Sequence, residues 1–279
     1  MRFKKNTFIN FILIIILITC IVLFLNNFLL IIKWEKENRK TNNEINNLQD
    51  IVNIEEVDET LNKNSHILLV SSNDEDKDSN YWYYASIKLI DVKLDKLSIQ
   101  NDETRGWIVV PGTNVNYPFL QSNDNKFYLN RSFDKTYNDA GWLFLDYRND
   151  INSLSKNNII YAHARVDRTM FGSLRNLLKD EWFYNKDNRV IKMSTIKENT
   201  LWQIFSVYTL KTESYYITTD FNNDEDFKNY INKSLSRSIY DFDVNLNADD
   251  TILTLSTCHG EDKKLVVQAK LIKKEIKNP

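Results

Sequence analysis

From Phe8 to Ile32 the chain reads FINFILIIILITCIVLFLNNFLLII, with no charged residue. At about 1.5 Å of rise per helical residue, that run is long enough to cross a hydrocarbon core of roughly 30 Å. A cleaved signal peptide has an apolar core of about 7–15 residues and a small-residue cleavage site. This run is longer and has no A-x-A pattern, so it predicts a retained, single-pass membrane anchor. Arg2, Lys4 and Lys5 precede it without an acidic residue, whereas Lys33, Lys36, Arg39 and Lys40 beyond it are mixed with Glu35 and Glu37. The imbalance predicts a cytoplasmic segment 1–7, an anchor over 8–32 and an extracellular remainder.

Residues 33–78 are polar and predict a spacer between membrane and domain. Ile45, Leu48, Ile51 and Ile54 recur at a spacing that fits a short helix or coiled stalk, and SSNDEDKDSN (71–80) reads as a linker. That leaves 79–279 for one sizeable domain. The whole chain has 42% hydrophobic and 27% charged residues, a globular balance. A net charge of -2 without a dense basic patch gives no reason to expect nucleic acid as a partner. Five glycines and three prolines exclude collagen-like or Pro-rich low-complexity sequence.

Within the domain, YWYYASIKLIDVKLDKLSI (81–99) has helical spacing and predicts an N-terminal helix. Short runs rich in β-branched and aromatic residues then predict strands at 106–112, 115–121, 141–148, 157–164, 189–195, 201–210, 251–258 and 264–272. Helical patterns at Thr169–Leu178 and Asp224–Ser236 interrupt them, the second with Phe227, Tyr230, Ile231 and Leu235 on one face. Strands and helices do not alternate regularly, so the pattern predicts a mostly β barrel or sandwich rather than a doubly wound sheet.

The chain has two cysteines, and Cys20 lies inside the apolar run. Cys258, in TLSTCHG, therefore has no partner for a disulfide within the chain and is either a small buried hydrophobe or a nucleophile. A free thiol titrates near pH 8.5, so a nucleophilic one needs a neighbouring cation or base. Of three histidines, His66 lies in the spacer and His259 adjoins Cys258, where strand alternation turns it to the other face. His163 ends the strand NNIIYAHA, a rigid position from which chemistry is often presented; the plain alternative is a hydrogen-bonded rim histidine. Lys263 and Lys264 would return beside Cys258 in a short hairpin, as oxyanion donors or as ordinary solvated charges. No CxxC or HxxxH spacing is present to suggest zinc.

Taken in order, GWIVVPGTNVNYPFLQ with DNKFYLN, GWLFLDYRN, IIYAHARVDRTMFGSL, IFSVYTLKTESYYITTDF, and ILTLSTC followed by LVVQAKLI resemble the class B sortases over about Tyr81 to Lys273. The resemblance implies a closed eight-stranded β-barrel with added helices, outside the membrane of a Gram-positive cell, and cysteine transpeptidation without a cofactor. In that family a C-terminal sorting signal of NPxT-G/N type is cut after the Thr, held as a thioacyl intermediate and passed to a peptidoglycan amine. Carried over by motif, Cys258 matches the nucleophile, His163 the general acid/base, and Lys264 the position of the family's arginine. Ser256 and Thr257 fall in the motif before the cysteine. Lysine keeps the charge but lacks the planar bidentate fork. A second departure is YAHA: Ala162 stands where the family usually has glycine and Ala164 where it often has asparagine. Arg165 and Arg168 are the nearest arginines that would substitute in space, and VNYPFLQ and the helix around Phe227 are candidate groove walls. Two rival functions fit the same resemblance: a degenerate domain that binds sorting signals or wall precursors without turnover, and a pilin polymerase that uses a lysine acceptor.

Overall fold

A computed structural model describes residues 2–57, 66–70, 79–211, 213–258, 260 and 262–277. Most of the expected linker 71–80, and His259, lie outside those residues. The chain divides into two compact units, Met1–Asn43 and Glu44–Pro279. Helix α1 (Arg2–Ile51) contains the whole apolar run, which lies within the first unit. It is the one described helix long and apolar enough, by length and composition, to cross a membrane.

In the second unit the last turns of α1 bury Ile45 and Leu48 in the hydrophobic core. The chain then forms β1 (Ile54–Glu56), which pairs with β3 (Ile90–Val92), and β2 (His66–Leu69). Eight strands make the body: β4 (Thr104–Val109), β5 (Asn116–Leu120), β6 (Phe144–Leu145), β7 (Asn157–Tyr161), β8 (Val190–Thr195), β9 (Glu198–Lys211), β10 (Ile252–Cys258) and β11 (Lys263–Ile276). Their order is β4-β5-β6-β7-β10-β11-β9-β8, and β8 pairs back to β4, so the sheet closes. The β5–β6 and β7–β10 pairs are parallel and the others antiparallel. This is the closed eight-stranded barrel the resemblance implies, with β2 added along β11. Ile108, Phe119, Trp202, Leu255 and Val267 fill its interior. Each such side chain contributes about 1.5–3 kcal/mol by leaving water.

Three expected elements take different forms. The helix expected over 81–99 splits into α2 (Ser79–Ala85), β3 and α3 (Asp95–Gln100). The alternating stretch around Ile90 is claimed by β1, and Ser194 Oγ accepts the Val92 N–H at 3.0 Å. The strand expected over 141–148 keeps only Phe144 and Leu145, because the chain turns at Gly141 and again after Asp146. The helix expected at Thr169–Leu178 is a 3-10 turn over Gly172–Leu178; Met170 has φ +51°, which no α-helix admits, yet Phe171, Leu174 and Leu177 are buried as the periodicity requires. Beyond α4 (Asp180–Tyr184), α5 (Asp224–Arg237) forms as expected. The Asn223 side chain caps it by accepting the Asp226 N–H at 2.9 Å, and Phe227, Tyr230 and Ile231 pack against Phe205 and Ile252.

Candidate active site

Strand register builds the site. In the parallel β7–β10 pair, Ile252 stands opposite Asn157 and Ser256 opposite Tyr161. Carrying that register two residues further sets Cys258 level with His163. On the other side of β10, the antiparallel β11 sets Lys264 opposite Cys258. His163, Cys258 and Lys264 thus form a row across three neighbouring chain segments. Alternation fixes the face: Ile160 and Leu255 point into the core, so Tyr161, Ser256 and the residues two further on point away from it. Thr257 Oγ1 donates to the Ala162 carbonyl at 2.7 Å and so extends the β7–β10 connection past its last ladder pair.

The Lys264 ammonium lies 3.1 Å from Cys258 Sγ, and Cys258 is exposed. A fixed positive charge therefore sits beside an accessible sulfur. His163 is half-buried, and its Nε2 lies 2.6 Å from the Leu129 carbonyl. A carbonyl can only accept, so Nε2 carries the hydrogen, and Nδ1 is the nitrogen left for proton transfer.

These three residues line one cleft of about 820 Å³. Its floor is Phe144, Tyr161, Ala162, Ser256 and Thr257; one wall is Asn125 and Leu129, the other Glu213, Ser214, Tyr216 and Ile217. The second wall is tied to the barrel. Tyr230 OH donates to the Tyr216 carbonyl at 2.9 Å, Asn157 Nδ2 donates to the Thr218 carbonyl at 2.8 Å, and the Tyr216 and Ser256 hydroxyls lie 3.2 Å apart. A smaller cleft of about 350 Å³ reaches Cys258 from its other side, between Val166, Phe171, Arg175 and Leu265.

Of the residues singled out by sequence, Cys258, His163, Lys264, Ser256, Thr257 and Ala162 come together in the main cleft. Arg165 does not: its guanidinium pairs with Asp167 at 3.2 Å. Arg168 donates to Asn176 Oδ1 at 3.4 Å and lines neither cleft. Arg175 shares the smaller cleft with Cys258, with its guanidinium donating to the Gly172 and Arg165 carbonyls, and nothing in FGSLRNLL singles it out. VNYPFLQ and the helix around Phe227 line neither cleft; the DNKFYLN loop and the ESYYI turn take those places. Ala162 does not have the positive φ that would demand glycine.

Gly141 is a site residue that sequence reasoning missed. Its φ is +60°, and a Cβ there would meet the Tyr128 carbonyl at 2.7 Å, the Leu129 carbonyl at 2.8 Å and His163 Cδ2 at 3.0 Å. Gly141→Ala is expected to cost roughly 2–4 kcal/mol, from left-handed strain and from backbone that cannot move aside. It should also slow turnover, because Leu129 is the carbonyl that holds His163. A urea midpoint and a kcat measured on the same preparation check both effects; an unchanged kcat would separate Gly141 from the histidine.

A closed mixed barrel that presents an exposed thiol, a cation and an imidazole in one row is built for acyl transfer through cysteine. A sortase-domain family model matches residues 108–272. Sortase B of Staphylococcus aureus is 37% identical over 185 residues, covering 65% of this chain and 75% of that protein. Sortase B of Listeria monocytogenes is 37% identical over 190 residues, with the same shares covered. A solved Staphylococcus aureus sortase B–substrate complex superposes with a TM-score of 0.61 at 36% identity, over 64% of this chain and 84% of that one. The chain belongs to the sortase family, and within it to the cysteine transpeptidases of class B.

Proposed function

We propose that the protein is anchored through residues 8–32 with residues 1–7 in the cytoplasm, that 33–78 connect the anchor to a catalytic domain over 79–279 and pack on it through Ile45, Leu48, β1 and β2, and that this domain works outside the cell. There it cleaves an NPxT-G/N-like sorting signal after the Thr and transfers the protein to a peptidoglycan amine. The observation that carries this reading is the row of His163, Cys258 and Lys264 at the floor of the main cleft. The Cys258 thiolate attacks the Thr carbonyl carbon, and the oxyanion that forms is held by Lys264 and neighbouring backbone N–H groups. The C–N bond breaks, and the His163 imidazolium gives its proton to the departing amine, leaving a thioester on Cys258. The acceptor amine attacks that thioester, His163 takes the amine's proton, and the C–S bond breaks to release the Cys258 thiolate as the new amide forms, restoring the starting thiolate and imidazolium. No step needs a metal or an organic cofactor. The partners are surface proteins bearing the signal, the wall precursor that supplies the amine, and the membrane.

Intact mass of the full chain in detergent, after incubation with pools of NPxTx and xPxTG peptides, tests the reading. A mass gain equal to the acyl fragment of one peptide is expected, and it names the motif. If no peptide adds mass while Cys258 still reacts with iodoacetamide, the thiol is accessible but is not acylated by the signal, and the transpeptidase reading fails.

A further inference from the structure

Asp146 and Arg148, the DYR of GWLFLDYRN, line neither cleft, yet they connect separate parts of the main one. Asp146 follows β6 and is fully buried. Its carboxylate accepts Arg148 Nε at 2.8 Å and Nη2 at 2.7 Å, a two-pronged pair, and the Arg148 backbone N–H at 3.0 Å. It also accepts Asn125 Nδ2 and Tyr161 OH, each at 2.9 Å. Asn125 belongs to one wall of the cleft and Tyr161 to its floor. Arg148 Nη2 donates as well to the Ile217 carbonyl at 2.9 Å, on the opposite wall. Burial by itself raises the Asp146 carboxyl, but the Arg148 side-chain and backbone donors and the Tyr161 hydroxyl outweigh it and hold the pKa below the ordinary carboxylate range.

We infer that Asp146 and Arg148 are positioning residues for the sorting peptide, fixing the distance between the two walls of the cleft through Asn125, Tyr161 and Ile217. This rests on the transpeptidase reading above. The argument is one of geometry. A peptide bound between two walls gains only if the walls are held apart at its width before it arrives. The wall at Ser214–Ile217 is tied to the barrel through Tyr216 and Thr218. Arg148 supplies its tie to the Asn125 side. A guanidinium makes these contacts together because its planar fork covers both carboxylate oxygens and still has a hydrogen for the Ile217 carbonyl. Neither residue touches the row of Cys258, His163 and Lys264, so the pair acts on peptide capture rather than on the bond-making steps.

Arg148→Gln and Arg148→Lys test this in the full chain. In Arg148→Gln the KM for the signal peptide is expected to rise about tenfold with kcat within about twofold, the split that separates capture from chemistry. Alkylation of Cys258 by iodoacetamide, a reagent too small to need the walls, should stay within about twofold of the parent. Backbone amides of residues 214–218 should exchange hydrogen at least about tenfold faster, with the barrel strands unchanged. Arg148→Lys keeps the charge without the fork and should give a KM rise of about threefold. An unchanged KM, or a fall in kcat and alkylation alongside the KM change, overturns the inference; the second result marks general damage to the fold. A parent chain that turns over no peptide would instead sink the transpeptidase reading. The exchange measurement then decides the inference alone: parent-like exchange at 214–218 in Arg148→Gln overturns it, and faster exchange confined to that segment supports it.

Discussion

Cys258→Ala is expected to lower transpeptidation by at least about 10⁴-fold while leaving the domain folded. Removing the nucleophile removes the covalent path, and the chain offers no second thiol at the site, since the only other cysteine is Cys20 in the apolar run. The fold should not notice. Cys258 is exposed and ends β10, so losing Sγ opens no cavity and, among the described residues, forfeits the hydrogen bond from Lys264. A shift in Tm of no more than about 2 °C follows, because surface truncations away from packed contacts are worth at most a few tenths of a kcal/mol. Peptide binding should survive, since the walls at Asn125 and Tyr216 do not depend on the sulfur. The check combines thermal melting, peptide binding and turnover on one sample. Residual turnover above about 1% of the parent would mean that another group attacks the signal.

The legible parts of this protein were those written in local pattern. The apolar run announced α1 by composition alone, and the face of Phe227, Tyr230 and Ile231 announced α5. Seven of the eight barrel strands overlap a β-branched or aromatic run closely; the eighth, β6, is reduced to Phe144 and Leu145 within a longer one. The hairpin that returns Lys264 to Cys258 could be read because β10 and β11 are adjacent in sequence. The match of His163 to Cys258 could not be read from spacing, because it depends on a parallel register between strands nearly a hundred residues apart. Only the ordered motifs of the family carried it. Asp146 and Arg148 were invisible for a related reason. Two opposite charges separated by one residue look like an ordinary turn, and what distinguishes them is the burial of the carboxylate and the distant groups it gathers. Arg165 misled in the opposite direction: it is near His163 in sequence, but Asp167 holds its guanidinium out of the cleft.

Lys264→Gln is expected to reduce kcat by roughly 10²–10³-fold, the usual loss when a donor aimed at a developing oxyanion is removed. The ammonium stands 3.1 Å from the sulfur, so a carbonyl carbon bonded to that sulfur would carry its oxygen within reach of the same group. Glutamine is uncharged and its amide stops one bond short of the ammonium, so the charge and the aimed donor are lost together. KM should change little, because the interaction forms only as negative charge develops. Lys264→Arg asks the complementary question. The position is fixed by the ladder pair with Cys258, and arginine there retains the charge in a longer, planar head. If the charge is what matters, the arginine protein should keep kcat within about tenfold of the parent. Two results would change the account. Turnover by Lys264→Gln within about threefold of the parent would leave the oxyanion to backbone N–H groups alone. An inert parent that gains turnover on Lys264→Arg would show a sortase that has lost catalysis at this one side chain and kept the cleft for binding.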